Sequence, residues 1–191
     1  MLRRVHQLAA PTLAILFAAL VAQGPVGAVP AANAATSAHA VAASAPQCHG
    51  AHASGAGRRA AHTIVCLINA QRSLRGLPRL HTSGDLARAA RGHARDMVRR
   101  RYFDHRSPGG SSPASRAADA GYHGATIAEN LAFGSGTWGT PAGTVAMWLG
   151  SPPHRAAMLS PRLRDIGIGV ADGCPSGGYS GTTVAATLGR R

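Results

Sequence analysis

Asp165-Ile166-Gly167-Ile168-Gly169-Val170-Ala171 is the stretch that decides the fold class. It reads as a strand, and a Gly/Pro turn joins it to a second, Gly181 to Leu188. Everything upstream of this pair, as far back as residue 58, reads mainly as helices with clear punctuation. Arg59 to Arg75 carries Ile64, Leu67, Ile68, Gln71 and Leu74 on one stripe, and Gly76 and Pro78 stop it. Ser83 is a suitable N-cap for a helix running to about Arg101, with Leu86, Ala89, Ala90, His93, Ala94, Met97 and Val98 on its apolar stripe. Tyr102 to Ser112 is a loop. Pro113 opens a short helix to Ala120, and Ile127 to Phe133 is extended. Thr140-Pro141 begins another helix, which Pro152-Pro153 interrupts before a last turn through Met158. Helices interleaved with a few strands predict an α+β domain of αβα layers over residues 58–191.

The N-terminal third is different in kind. Arg3 and Arg4 precede an almost unbroken apolar run from Leu8 to Ala22, and Ala32-Asn33-Ala34 fits a small-residue cleavage site. That run is about 15 residues, shorter than the ~20 needed to cross a bilayer. Residues 1–34 therefore read as a signal peptide, with Val26-Gly27-Ala28 as an earlier cleavage alternative, and a secreted product with no membrane span is expected. Residues 35–57 are Ala, Ser, Gly and His with few large apolar groups, the composition of a flexible linker. His39, His49, His52 and His62 lie in or near it at irregular spacing, which reads as solvated linker rather than a metal tract.

The chain has 191 residues with 20 basic and 7 acidic side chains, a formal charge of +13. All the basic residues are Arg. Removing residues 1–34 takes away two Arg and no acid, leaving +11. Arg88, Arg91, Arg95 and Arg99 recur at helical spacing on the polar face of the second helix. Such a charge supports non-specific, salt-sensitive attraction to anionic polymers, without the aromatic–basic interleaving of single-strand nucleic-acid binders. Of the three cysteines, Cys48 and Cys66 are expected to pair in an oxidising compartment, tying the N-terminal segment to the first helix. Cys174 is left over or linked to another chain.

The residues able to carry chemistry are few. Glu129 is the single Glu of the chain, inside the apolar run Ile127-Ala128-Glu129-Asn130-Leu131-Ala132. A carboxylate there is costly to bury unless His, Arg or a metal meets it. His105 and His154 are the neighbouring candidates, and two His with one Glu can form a zinc site that keeps an open position. A buried His–Glu hydrogen-bond network explains the same residues. Tyr102, Phe103, Tyr122 and Phe133 surround these blocks in sequence, and Trp148 precedes His154, the pattern of a walled pocket.

Five blocks together resemble one family. They are Leu67-Ile68-Asn69-Ala70-Gln71-Arg72, Phe103-Asp104-His105-x-x-Pro108, Ala128-Glu129-Asn130-Leu131-Ala132, Trp148-x-x-Ser151-Pro152-Pro153-His154-Arg155 and Ile166-Gly167-Ile168-Gly169-Val170-Ala171. In that order they look like the bacterial, SCP-like branch of the CAP superfamily, which includes cysteine-rich secretory, antigen 5 and pathogenesis-related proteins. The resemblance covers roughly residues 60–190. It implies an αβα sandwich with a small antiparallel sheet between helices, and a cleft that in some members binds a divalent metal such as zinc through two His and two Glu. His105, Glu129 and His154 match three of those positions. Ser151 stands where many eukaryotic members have the second Glu.

The resemblance carries no single activity, because its reported roles range over lipid or sterol binding, protein interaction and protease activity. The reading favoured is an extracellular or cell-envelope binding module that is not an enzyme. Its cleft residues are His105, Glu129, Ser151 and His154, and its ligand is an unidentified small molecule, lipid or peptide. The alternative is a metal-assisted hydrolase in which His105 and His154 hold zinc and Glu129 is third ligand or general base. A serine mechanism through Ser151, His154 and Glu129 is disfavoured, since a Ser three residues from its His across two prolines is not expected to reach it.

Overall fold

The structure, a computed structural model, describes residues 48–177 and 180–191. The expected signal peptide and residues 35–47 lie outside the described residues. In chain order the elements are α1 (Arg58–Ser73), β1 (His81–Thr82), α2 (Gly84–Arg100), α3 (Pro113–Asp119), β2 (Thr126–Gly134), a 3-10 turn (Gly136–Gly139), α4 (Pro141–Gly150), α5 (Pro152–Met158), β3 (Asp165–Asp172) and β4 (Thr182–Arg190). Local chemistry sets the boundaries. The Ser83 hydroxyl accepts from Leu86 N at the start of α2, Ser112 and Ser115 form a reciprocal capping box on α3, and Thr140 caps α4 ahead of Pro141. Arg101 closes α2 in the left-handed region, at φ 55°.

The sheet order is β1-β3-β4-β2. β4 pairs antiparallel with both β2 and β3. β1 runs parallel to β3 over His81 and Thr82, so the sheet is mixed where an antiparallel one was expected. The cause is local. The chain leaving α1 passes the start of β3 in the same direction, and His81 N and Ser83 N donate to Arg164 O and Ile166 O before α2 begins.

The register divides the sheet into two unlike faces. Ile166, Ile168, Val170, Val184, Ala186 and Leu188 pack with α1 and α4 in the larger core. Burying each large aliphatic there is worth about 1.5–3 kcal/mol. On the opposite face, Leu131, Ala171 and Ala185 meet Ala90, Ala94 and Met97 of α2. This layer is thin because glycine lets the backbones touch. A Cβ on Gly167 would lie 2.0 Å from Ala87 N, and one on Gly169 would lie 2.2 Å from Arg91 N. The α+β, αβα arrangement follows from these two layers.

Arg72 stitches the larger core together. Its side chain is fully buried, and its guanidinium donates to the carbonyls of Pro78, Met158, Ser160 and Leu163. Five donors in a planar fork suit a junction of chain turns where carbonyls converge. Asn69 adds a two-way clamp, donating to Leu80 O and accepting from Leu80 N.

The expected linker ends earlier than residue 57. Cys48 and Cys66 form a disulfide, with Cα atoms 5.7 Å apart, as expected. Cys48 and Ala51 sit in the larger core, His49 O accepts from the Thr63 hydroxyl, and Ala51 O accepts from Ala142 N. Residues 48–57 thus form a docked strap. Their small side chains could not order the segment unaided, and the disulfide supplies the constraint. Cys174 is buried outside this disulfide, which leaves no surface thiol for the interchain alternative.

Candidate functional site

Glu129 projects from β2 onto the face shared with Thr187 and is 1% exposed at its side chain. Its charge is met from α3. Arg116 Nη2 lies 2.9 Å from Oε2 and 3.1 Å from Oε1. The same guanidinium donates to His105 O, so it holds the loop that carries His105 as well as the carboxylate. His105 Nδ1 lies 3.0 Å from Glu129 Oε1. An ionised carboxylate only accepts, so Nδ1 carries the proton and a neutral His105 presents its Nε2 lone pair outward. The His105 side chain is half exposed.

His93 of α2 completes the base. It is fully buried, with Nε2 3.8 Å from Glu129 Oε1 and 3.0 Å from Asp104 O. The carbonyl requires Nε2 to be the donor. The Tyr102 hydroxyl donates to Asp96 Oδ2 at 2.7 Å and makes only a 3.3 Å contact with His93 Nδ1. Burial pushes the His93 imidazole below its usual pKa; the Glu129 carboxylate opposes that shift and Arg116 reinforces it. Burial likewise pushes Tyr102 well up, with its bond to Asp96 adding to the effect.

His154 comes from α5. Its Nδ1 lies 2.7 Å from Ser151 Oγ, and its main-chain carbonyl accepts from Asn130 Nδ2. Asn130 follows Glu129 in β2, so adjacent residues of one strand anchor both halves of the site. Burial and, second, the neighbouring His105 lower the His154 pKa. The contact with Ser151 corrects the expectation that the two prolines keep them apart. Ser151 is the N-cap of α5 and makes no cap bond, so its hydroxyl is free to turn to the third residue of the helix. The serine mechanism still lacks its acid, because Glu129 is bonded to His105 and Arg116.

The structure therefore brings His105 onto Glu129 and Ser151 onto His154. The two pairs share β2, with no hydrogen bond between Glu129 and the His154 ring. Arg116 was not singled out from sequence. Its only signal was that a lone buried Glu needs a cation, and nothing in the spacing pointed across α3. The aromatic wall is partial. Phe103 is 43% exposed and packs edge-on against Phe133 at 4.8 Å, whereas Trp148 is buried core with Nε1 bonded to Leu131 O.

A family model of the cysteine-rich secretory protein family, CAP, matches residues 65–186. The chain belongs to this family. The CAP domain here is 36% identical over 109 residues to uncharacterized protein YkwD of Bacillus subtilis, a match over 57% of this chain and 41% of that protein. It superposes with a TM-score of 0.60 on an extracellular protein containing an SCP domain from Bacillus anthracis, at 26% identity over 69% of this chain and 40% of the other. It also shares the fold of an outer surface protein from Borrelia burgdorferi, with a TM-score of 0.58 and 22% identity over 67% of this chain and 90% of that one. The chain spans about two fifths of the length of the two Bacillus proteins.

A resident metal with His105, Glu129 and His154 as its three ligands does not fit this CAP domain as folded. No group of three or more His, Cys, Asp or Glu among the described residues is arranged to hold a metal ion. The carboxylate that would be the third ligand accepts from Arg116 and His105. What remains for a cation is the Nε2 of His105, with Glu129 behind its Nδ1 as an orienting partner, and the ring of His154, whose Nδ1 meets Ser151.

Proposed function

We propose that this CAP domain belongs to a secreted binding module that is not an enzyme, acting outside the cell or at its envelope, and that it recognises ligand through the His105 and His154 imidazoles. The observation that carries this reading is the state of Glu129, buried and bonded to Arg116 and His105. The metal-assisted hydrolase alternative asks Glu129 to ligate zinc or to take a proton from its bound water. Here the only Glu is consumed in holding His105 and its loop. The exposed face of Phe103 supplies apolar contact within the same loop. The extracellular and outer-surface descriptions of the Bacillus anthracis and Borrelia proteins support the location, as does the run of Arg3, Arg4 and apolar residues ahead of Ala32-Asn33-Ala34, which reads as a signal peptide. No helix among the described residues is long and apolar enough to cross a membrane.

A divalent metal such as zinc would be held by the two imidazoles, with its other positions left to ligand or water. Titration calorimetry with zinc chloride tests this. Wild type should bind one ion, Glu129→Gln should bind about 10–100-fold more weakly through loss of the orienting partner, and His105→Ala/His154→Ala should not bind. Zinc binding that survives in the double variant would overturn the site. A zinc-dependent esterase or peptidase activity that disappears in it would overturn the non-enzymatic reading.

A further inference from the structure

The opposite edge of the sheet has an incomplete strand partner. β1 covers β3 only at Asp165 and Ile166, and β3 continues to Asp172. The β4 register, continued by the bond from Gly173 N to Gly181 O, assigns the odd-numbered residues of β3 to β4. The N–H and C=O groups of Ile168, Val170 and Asp172 therefore face away from β4, and among the described residues nothing beyond the strand pairing bonds to them. Two successive depressions follow this edge. One, of about 210 Å³, is floored by Ile166, Gly167 and Ile168. The next, of about 340 Å³, is floored by Val170, Ala171 and Asp172.

The walls are cationic. Arg58 of α1 and Arg91 of α2 line the first depression, and Arg95 and Arg99 line the second. Arg99 pairs with Asp96, whereas Arg58, Arg91 and Arg95 have no acidic or hydrogen-bonded partner among the described residues. They are unanchored and can swing from the groove. The arginine ridge is also in step with a strand. α2 runs alongside β3 in the same direction, with Gly167 under Ala87, Gly169 under Arg91 and Gly173 under Val98. Four helical residues rise about 6.0 Å, close to the roughly 6.6–6.8 Å between same-face residues of a strand.

We propose that the unpaired edge of β3, recessed between α1 and the arginine ridge of α2 with Ile168 3% and Val170 8% exposed, is a docking groove for an extended acidic segment of a partner protein, which adds to the sheet as a strand. Main-chain bonds to Ile168 and Val170 would give affinity. Acidic residues at alternate positions would face Arg91 and Arg95, and the residues between them would face Ala61 and Val65 on the α1 side. Asp172 at the far end repels an acid there, so the acidic run is short and points away from it. This groove lies at the edge farthest from β2, independent of the His105 and His154 site.

Fluorescence anisotropy with the full chain and a labelled hexapeptide of alternating Asp and Val tests the proposal. Arg91→Ala/Arg95→Ala should weaken binding about tenfold or more, as expected for lost charge-assisted contacts. Two further peptides, N-methylated at one parity of alternate residues or at the other, separate strand addition from simple charge attraction. One should lose binding about tenfold or more, because its methyl groups replace donors that face β3, and the other should keep it. Equal effects of both methylation patterns would overturn the proposal, as would equal binding of a peptide of the same composition with its acids in one block.

Discussion

Arg116 Nη2 and Glu129 Oε2 lie 2.9 Å apart, and the side chains they belong to are 12% and 1% exposed. One comes from a seven-residue helix and the other from an edge strand, so this pair fixes α3, the His105 loop and β2 together. Removing one partner leaves an uncompensated charge in a dry place. Arg116→Met should cost about 3–5 kcal/mol of stability, measured by urea denaturation. Arg116→Met/Glu129→Gln should cost less than the sum of the two single changes, and additive losses would show that the pair is not coupled.

Acidification should loosen the same region. His93 is held below its ordinary pKa of 6.5, chiefly by burial, and Glu129, Arg116 and Asp96 are the charged groups around it. A lowered folded pKa means the unfolded chain binds the proton more readily. The stability is present above about pH 6.5 and is lost as the pH falls from there toward the folded value. His154 shifts in the same direction. The urea midpoint should therefore fall between pH 7.5 and 5.5, and His93→Gln should flatten that dependence.

Two glycines should respond to Ala with opposite sign. Gly169→Ala drives a methyl into Arg91 N and Ala90 C at 2.2 and 2.3 Å, where helix backbone cannot yield. The expected loss is at the top of the roughly 1–3 kcal/mol range for overpacking. Gly92, inside α2, has nothing within 4 Å of its would-be Cβ, and Gly92→Ala should stabilise by about 0.5–1 kcal/mol. Thermal melting of both variants checks the pair.

Reduction of Cys48–Cys66 should release the strap. The bridge spans 18 residues, and a loop of that size is worth about 3 kcal/mol in the chain-entropy account. Limited proteolysis should cut within residues 50–57 after reduction and spare them before it. Cleavage at equal rates would mean that burial of Ala51 alone holds the strap.

Helix boundaries were legible because they rest on local chemistry: Ser83, Ser112-Pro113 and Thr140-Pro141 cap where their side chains reach the next turn. β1 was not legible. Two residues carry no periodicity, and His81 and Thr82 pair only because α1 delivers them beside Asp165. The site was half legible. Family-matched blocks pointed to His105, Glu129 and His154, and a lone buried Glu demanded a partner. That the partner is Arg116 depends on how α3 turns back over β2, which no spacing along the chain encodes. Composition misled at residues 48–57, where Ala51 becomes core and Ala56 packs against it once Cys48 is tied to α1.

The position of β4 has a consequence for the order in which this domain can form. β4 lies between β3 and β2, yet of the four strands it is the last along the chain. Neither β2 nor β3 has its antiparallel neighbour until residues 182–190 exist, and Arg72 finds its acceptors at Met158, Ser160 and Leu163 only 86–91 residues after itself. A chain growing from its N-terminus therefore holds helices without a sheet to cover. Closure comes late, when β4 pairs with β2 and β3 and joins both layers at once.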